Sequence, residues 1–268
     1  MDPDNALLER GRAGSVPALV KGAAIVDLIC AEGRPMRAPE LARSLNLSKS
    51  TVHVLCGTLV QLGLLARVGA TQFTIGPHTL VWAAAFQHQS DLSTEFARTW
   101  QDISVLPEET VTLSILSGTE VVYIACRNGT RPIGISFRAG MRLPAPFTAT
   151  GKAILSTLPD DEVRALLRDA WPPPMTRASV AGIDALLQEL AETRARGFSV
   201  DHGQSRDGAS CFGAAVFGPG DRRAVAGVAV ALLTAAADEA AIETAGAAVR
   251  SVAARLSQRL GGTAEHGR

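Results

Sequence analysis

Ser48, Lys49, Ser50 and Thr51 stand together just ahead of an apolar run, and His53 follows two residues later. Three hydroxyls and an ammonium in the first turn of a helix suit contact with a phosphate. The free N–H groups and the helix dipole there already favour negative charge. Ser48 is also a natural N-cap, and the imidazole of His53 can donate or accept a hydrogen bond at an edge presented to it. Each residue has a plainer reading beside this one: a simple helix cap for Ser48 to Thr51, and a solvated surface histidine for His53.

A second kind of chemistry is conceivable at Cys211. With His202 it would make a nucleophile and base, or a redox thiol. Little else supports catalysis. The chain has only five histidines, and no GxSxG, HExxH or glycine-rich phosphate loop. Its cysteines, Cys30, Cys56, Cys126 and Cys211, are scattered and form no CxxC pair, so neither a metal site nor a resolving thiol is evident. No cofactor is implied. Scattered thiols behind an acidic, polar N-terminus point to a reducing cytosol. The longest apolar run, residues 224–237, is too short to cross a bilayer and reads as a buried strand.

The elements that must position the first cluster can be read in order. Val20, Ala24, Ile25, Leu28 and Ile29 recur at helical spacing from Pro17, and Gly33 and Pro35 end that helix. A short second helix has Pro39 in its first turn, Leu41, Ala42 and Leu45 inward, and Asn46 as its stop. The third helix runs from Ser48 to about Leu62, closed by Gly63. Two extended pieces, Leu64 to Arg67 and Gln72 to Ile75, then form a hairpin around residues 69–71. Three helices and a hairpin in this order are the plan of a winged helix-turn-helix.

On a helical wheel Val52, Leu55, Leu59 and Leu62 share one face of the third helix, and Ser50, His53, Val54, Gly57 and Gln61 lie opposite. The small polar side, with Gly57 adding no bulk, is what a helix entering a major groove needs. Arg37, Arg67 and Gln72 are placed to reach backbone phosphate. Between Lys21 and Ala70 six basic residues face three acidic ones, although the whole chain is neutral with 26 of each sign. That local excess suits nucleic acid without proving it.

Residues 78–90 read as a linking helix and 91–103 as another, after which the period changes. Val111 to Leu116, Glu120 to Cys126, Ile133 to Arg138, Cys211 to Phe217 and Ala224 to Leu232 are strand-like. Thr150 to Thr157, Asp160 to Arg168 and Ile183 to Arg196 are helical. A last helix carries one apolar stripe through Ile242, Ala245, Val249, Val252, Leu256 and Leu260. At 268 residues and 47% hydrophobic, the chain is expected to form two domains. The expected layout is a tail over 1–15, a winged helix-turn-helix over 16–77, a linker helix over 78–90, an α+β domain over 91–262 and a tail over 263–268.

The residues then resemble a known family. Ala38-Pro-Glu-Leu-Ala-Arg-Ser-Leu-Asn-Leu-Ser-Lys-Ser-Thr-Val-His-Val-Leu, with Thr58-Leu-Val-Gln-Leu-Gly-Leu-Leu and the wing Phe73-Thr-Ile-Gly-Pro, is similar to the DNA-binding domain of IclR-family transcriptional regulators. Arg142-Leu-Pro-Ala-Pro-Phe-Thr-Ala-Thr-Gly-Lys-Ala-Ile-Leu, Arg196-Gly-Phe-Ser-Val-Asp and Ser210-Cys-Phe-Gly-Ala-Ala-Val-Phe resemble the signatures of its C-terminal domain. The resemblance spans roughly residues 17–260 in order. It departs at Val54, where the family commonly has arginine, so His53 and the Ser50 and Thr51 hydroxyls would carry more of the DNA contact.

The resemblance implies a GAF-like C-terminal domain holding a small effector, often an organic acid. Family ligand contacts fall on Ala149, Thr150, Asp201, Cys211, Ala229 and Ala231. Many relatives carry serines where Ala229 and Ala231 stand, which predicts a more apolar effector here, such as an aromatic acid. Arg206 stands where an acid is common. It is either a carboxylate clamp or a solvated loop charge. Cys211 is either a ligand contact or a packed thiol.

The implied partners are a double-stranded DNA operator, a small-molecule effector and a second copy of the chain, as family members form dimers or tetramers. No membrane is implied. Family members repress, activate or do both, and the expectation leans to repression. Two readings of other classes stand beside this one: a GAF-like thiol enzyme using Cys211, and an adaptor whose winged helix meets protein.

Overall fold

The computed structural model describes residues 16–89, 91–102, 108–130, 136–220 and 222–262. The chain divides into two compact units, with the boundary in sequence after Gln89.

The first unit begins with α1 (Pro17–Glu32), β1 (Met36–Arg37), α2 (Ala38–Ser44) and α3 (Lys49–Gln61). It closes with β2 (Leu65–Val68), β3 (Gln72–Ile75) and α4 (His78–Gln89). Ala24, Ile25, Leu28 and Ile29 of α1 pack on Leu41 and Ala42 of α2 and on Val52, Cys56 and Leu59 of α3, with Met36, Leu65 and Phe73 closing the core from the sheet. This is the spacing of three and four that puts one helix face inward. Glu40 accepts from the Arg37 N–H at 2.8 Å and so caps α2 from within. Asn46 takes a left-handed φ of 50° in the turn between α2 and α3, a conformation asparagine tolerates better than most residues. The sheet runs β1-β3-β2, and the β2–β3 hairpin pairs Leu65 with Ile75 and Val68 with Gln72. The winged helix-turn-helix is therefore present in the expected order.

The wheel needs one correction. Leu62, expected inward, is 57% exposed, while Cys56 is fully buried in the seam. Leu62 is the C-cap of α3, where the chain leaves the helical path on which the wheel depends.

The second unit contains α5 (Asp91–Asp102), β4 (Thr110–Ser117), β5 (Glu120–Arg127), β6 (Arg142–Pro144), α6 (Ala149–Leu155), α7 (Asp160–Leu167) and α8 (Ile183–Arg196). It ends with β7 (Ser199–His202), β8 (Ala209–Phe217), β9 (Ala224–Leu233) and α9 (Glu239–Arg259). The sheet is antiparallel throughout in the order β6-β5-β4-β9-β8-β7.

Both faces are covered, and the period of two along each strand assigns its residues. Val111, Leu113, Phe212, Ala214, Val228 and Val230 pack against α5 and α9. On the opposite face lie α6, α7 and α8, whose core includes Val121, Tyr123, Phe147, Leu155, Leu167 and Leu186. The apolar stripe expected on the last helix packs as read, with Ala245, Val249, Val252 and Leu256 buried and Ile242 and Leu260 at its margins.

Of the expected strand Ile133 to Arg138, residues 133–135 lie outside the described residues, and residues 136–138 are irregular. The edge strand is instead β6, where Arg142 pairs with Val122 and Pro144 with Glu120. Proline is tolerated at such an edge because its missing N–H leaves no interior ladder bond unmade.

Candidate functional site

Two sites emerge, one in each unit. In the first, Ser48 Oγ accepts from the Thr51 N–H at 3.1 Å and lies 2.8 Å from Thr51 Oγ1 and 3.0 Å from Ser50 Oγ. The Ser48 and Thr51 hydroxyls are thus engaged in capping α3, and Thr51 is only half-exposed. Lys49, Ser50, His53 and Val54 are exposed along the same outward side, with Gly57 half-buried one turn on. Arg67 stands on the wing with its guanidinium 5.3 Å from the centre of the Phe73 ring, and Gln72 is half-buried beside it. Stacking leaves the N–H edges of the guanidinium free to meet an anion in plane. Arg37 is exposed at the start of α2. Arg34, by contrast, is engaged by Glu32 and Glu40 at 3.1 and 3.2 Å.

In the second unit, a cavity opens between the sheet and α6. Thr112, Tyr123, Phe137, Ala149, Thr150, Asp201, Ser205, Cys211, Ala229 and Ala231 line it. Six of these ten were expected from sequence, and the strand register explains why they converge. Asp201 pairs with Cys211, Cys211 with Ala231, and Ala231 with Thr110, so Asp201, Cys211 and Ala231 share one face across three strands. Ala229 and Thr112 form the next rung.

The helix reaches the sheet because two strand positions lack a side chain. A Cβ on Gly213 would lie 2.6 Å from the Ala149 carbonyl oxygen, and one on Gly227 would lie 2.6 Å from that of Thr150. Ser199 Oγ donates to the Ala149 carbonyl at 2.6 Å and fixes the same approach from β7.

The polar groups of this cavity are unevenly satisfied. Asp201 Oδ1 accepts from the Gln204 and Ser205 N–H groups at 2.7 and 3.2 Å, and Ser205 Oγ donates to Oδ2 at 2.5 Å. Burial nevertheless raises the Asp201 carboxyl above its ordinary range, against the pull of those bonds and of Lys152. The Thr150 hydroxyl is buried, with the Tyr123 phenol beside it as its hydrogen-bonding neighbour. Burial also pushes the Tyr123 phenol well up.

Lys152 lies behind the cavity wall, fully buried. Its ammonium donates to the Val200 carbonyl and to Gln204 Oε1, each at 2.9 Å, and pairs with Glu189. Burial lowers its pKa, with Glu189 opposing. This bond set ties α6 to α8 and to the strand and loop that carry Asp201. The sequence reading missed Lys152, Ser205, Thr112, Tyr123 and Phe137. A lysine embedded in Ala-Thr-Gly-Lys-Ala-Ile-Leu was the available signal, since an apolar helix turn leaves its charge nowhere to go but a buried partner.

Two expectations are corrected. Arg206 is exposed in the loop after β7 and is not among the residues lining the cavity. The pairing of Cys211 with His202 also fails. His202 pairs with Ser210, one residue out of step with Cys211, so the two side chains lie on opposite faces. The imidazole meets Ser210 Oγ at 2.9 Å instead. Cys211 is buried, and desolvation first, then the neighbouring Asp201, raise its thiol pKa well above normal. Such a thiol is a packed, weakly polar wall and a poor nucleophile.

An α-helix presented beside a wing and a curled sheet enclosing a small cavity together define a DNA-binding regulator with an effector domain. Family models agree: the IclR helix-turn-helix domain matches residues 18–69, and the C-terminal domain of bacterial transcriptional regulator IclR matches residues 84–258. The chain belongs to the IclR family of transcriptional regulators.

It is 43% identical to the repressor BlcR of Agobacterium tumefaciens, whose crystal structure aligns over 94% of this chain and 100% of that one with a TM-score of 0.61. It is 29% identical to the regulator XynR of Escherichia coli, covering 88% of this chain and 94% of the relative. It is 28% identical to the transcriptional repressor IclR of the same organism, covering 76% of each. Among the described residues no helix is long and apolar enough to cross a membrane.

Proposed function

We propose that this chain is a repressor that grips operator DNA with α3 and its wing, and whose affinity is set by a small, largely apolar effector held between α6 and the sheet. The observation that carries the reading is the exposed Lys49-Ser50-His53 side of α3, rigidly capped by Ser48 and backed by a complete core. Ser50 and His53 face the base edges, with Gly57 leaving room for the groove wall. Lys49, Arg37, Arg67 and Gln72 meet phosphate, and Ser48 and Thr51 hold the helix end that presents them.

One such helix covers only a few base pairs, so operator specificity needs two copies, with recognition helices about one turn of DNA, ~34 Å, apart. The second copy has an apolar surface to use. Leu80, Val81, Trp82 and Phe86 of α4 are 70, 59, 58 and 48% exposed, and Leu19 of α1 is 73% exposed. Apolar side chains exposed all round a helix in this way mark an interface. A homodimer, or a tetramer built from it, is the assembly we infer. The reading calls for no catalysis and places the chain's action on DNA in the cytoplasm.

The effector-binding set is Ala149, Thr150, Asp201, Cys211, Ala229 and Ala231, joined by Thr112, Tyr123, Phe137 and Ser205. Three alanines and a protonated thiol leave one side of the cavity apolar. An effector changes DNA affinity only by favouring one of two arrangements of the dimer, and α6, clamped through Lys152, is the element whose shift would report occupancy.

Footprinting of the chain's own upstream region, repeated across a salt series, tests the DNA half. The Ser50→Ala and His53→Ala variants should each weaken protection by ~1–3 kcal/mol while the salt slope stays constant. Full protection by the double variant would reject α3 as the reader.

A further inference from the structure

Resting on the reading that α3 enters the major groove, we propose that Val54 reads the 5-methyl group of a thymine, so that each operator half-site carries one thymine that uracil cannot replace.

The placement comes from the helix. Val54 is 66% exposed and, among the described residues, joins no core. Gly57 follows it at i+3 and follows His53 at i+4, so the three residues share one spot on the outward side of α3. A Cβ on Gly57 would meet nothing within 4 Å. The helix surface therefore has a shallow notch of bare backbone, with the Val54 isopropyl group on one wall and the His53 imidazole on the other. A base edge can approach there more closely than it could over a side chain.

Neither the helix nor the core accounts for a valine here. A β-branched residue is a poorer helix former than alanine, and its methyls gain nothing from burial within the unit. Lys49, Ser50, His53, Thr58 and Gln61 around it are exposed and polar. A lone exposed valine is ordinary on an arbitrary surface and too small for a protein interface. On the side that faces base edges it has a specific complement.

That complement follows from the groove. Guanine, adenine and cytosine present only donors and acceptors to the major groove, while thymine adds an apolar methyl. Valine has no polar atom to offer, so pressing it on the first three removes water from their edges and returns no hydrogen bond. Against thymine it buries methyl on methyl. The branched side chain holds nearly one rotamer in a helix, so little freedom is lost on contact. Thymine O4 lies beside the methyl and accepts, which suits a donor from Ser50 or His53 on the same base. Thr58 does not compete for that edge, because its hydroxyl donates to the Val54 carbonyl at 3.2 Å.

Duplexes selected by the full chain from a random-sequence pool supply the probe. Each thymine of the selected site is then replaced in turn by uracil, which lacks only the methyl, and binding is followed by fluorescence anisotropy. One thymine per half-site should respond, with affinity falling about fourfold for one methyl and about fifteenfold when both half-sites are changed. Val54→Ala should bind the thymine duplex as weakly as the parent binds the uracil one, and should no longer tell the two apart. An alanine at this exposed helical position leaves the fold intact, which the melting temperature checks.

Uracil tolerated at every position overturns the proposal. So does a selected site with no fixed thymine, or a Val54→Ala variant that keeps the parent's preference for thymine. Ser50→Ala and His53→Ala separate this failure from that of the underlying reading. If both bind the selected duplex as tightly as the parent does, α3 is not the reader at all. If they weaken it while uracil has no effect, only the assignment of Val54 falls.

Discussion

Gly227 and Thr150 meet backbone to backbone: a Cβ at Gly227 would sit 2.6 Å from the Thr150 carbonyl oxygen and 3.1 Å from its Cα. The β9 strand therefore sets the depth at which α6, and with it the upper wall of the cavity, rests on the sheet. Neither partner is a flexible side-chain tip that could swing away. Gly227→Ala must push α6 outward or bend β9, at a cost of ~1–3 kcal/mol for overpacking. Chemical denaturation of the C-terminal unit should show that loss, and a variant as stable as the parent would mean that α6 is not seated as described.

Asp201 gives the acid side of the stability profile a definite sign. Burial raises its folded pKa above the ordinary value near 3.8, so in the interval above 3.8 the folded chain holds a proton that the unfolded chain releases. The associated stabilisation is complete below the unfolded pKa and is lost as pH rises through the folded one. Asp201→Asn has no such proton. The melting temperature of the variant minus that of the parent should thus grow with pH across that interval and be flat below it. A difference that shrinks with rising pH would show that the Gln204, Ser205 and Lys152 contacts outweigh burial.

The exposed apolar residues of α4 supply a third prediction. His78 and Trp82 stack edge to face at 5.5 Å. Trp82→Glu places a charge among the apolar side chains, Leu80, Val81 and Phe86 included, that are exposed around α4. If two copies meet there, light scattering should show a shift toward monomer, and operator affinity should fall with half-site cooperativity. Far-ultraviolet circular dichroism should stay unchanged, because the side chain makes no core contact in its own unit. An unaltered mass would move the interface elsewhere.

How much of this was legible in the residues follows from where local chemistry decides the structure. The helices and wing of the first unit were readable because each is short, periodic and punctuated by Ser48, Asn46 or a glycine. Leu62 was misjudged because a wheel assumes helix to the last residue. In the second unit the long strands showed through runs such as 224–233, whereas β1, β6 and β7 span only two to four residues and owe their pairing to partners far along the chain. The cavity wall from β8, β9 and α6 came from motif resemblance. Thr112, Tyr123 and Ser205 arrive only through strand register and a loop held by Asp201. Arg206 illustrates the limit: next to Ser205 in sequence, it faces solvent while Ser205 is buried against Asp201.

Val54 offers the last prediction. It is 66% exposed on the outward side of α3, next to His53 and one turn before Thr58, whose hydroxyl donates back to the Val54 carbonyl at 3.2 Å. A large apolar group in that position gains nothing from water and offers nothing to a phosphate or a guanine edge. Arginine has good helix propensity and would extend into open space without displacing any core residue. The Val54→Arg variant should keep its stability within about 0.5 kcal/mol, as for other surface changes. It should bind all DNA more tightly at low salt, and in a dimer its log-log salt slope should steepen by about 1.8, two added phosphate contacts at ~0.9 each. A rise in affinity confined to one operator sequence, with no change in slope, would instead mean that the introduced guanidinium reads a base. An unchanged affinity at every salt concentration would mean that this side of α3 does not enter the groove.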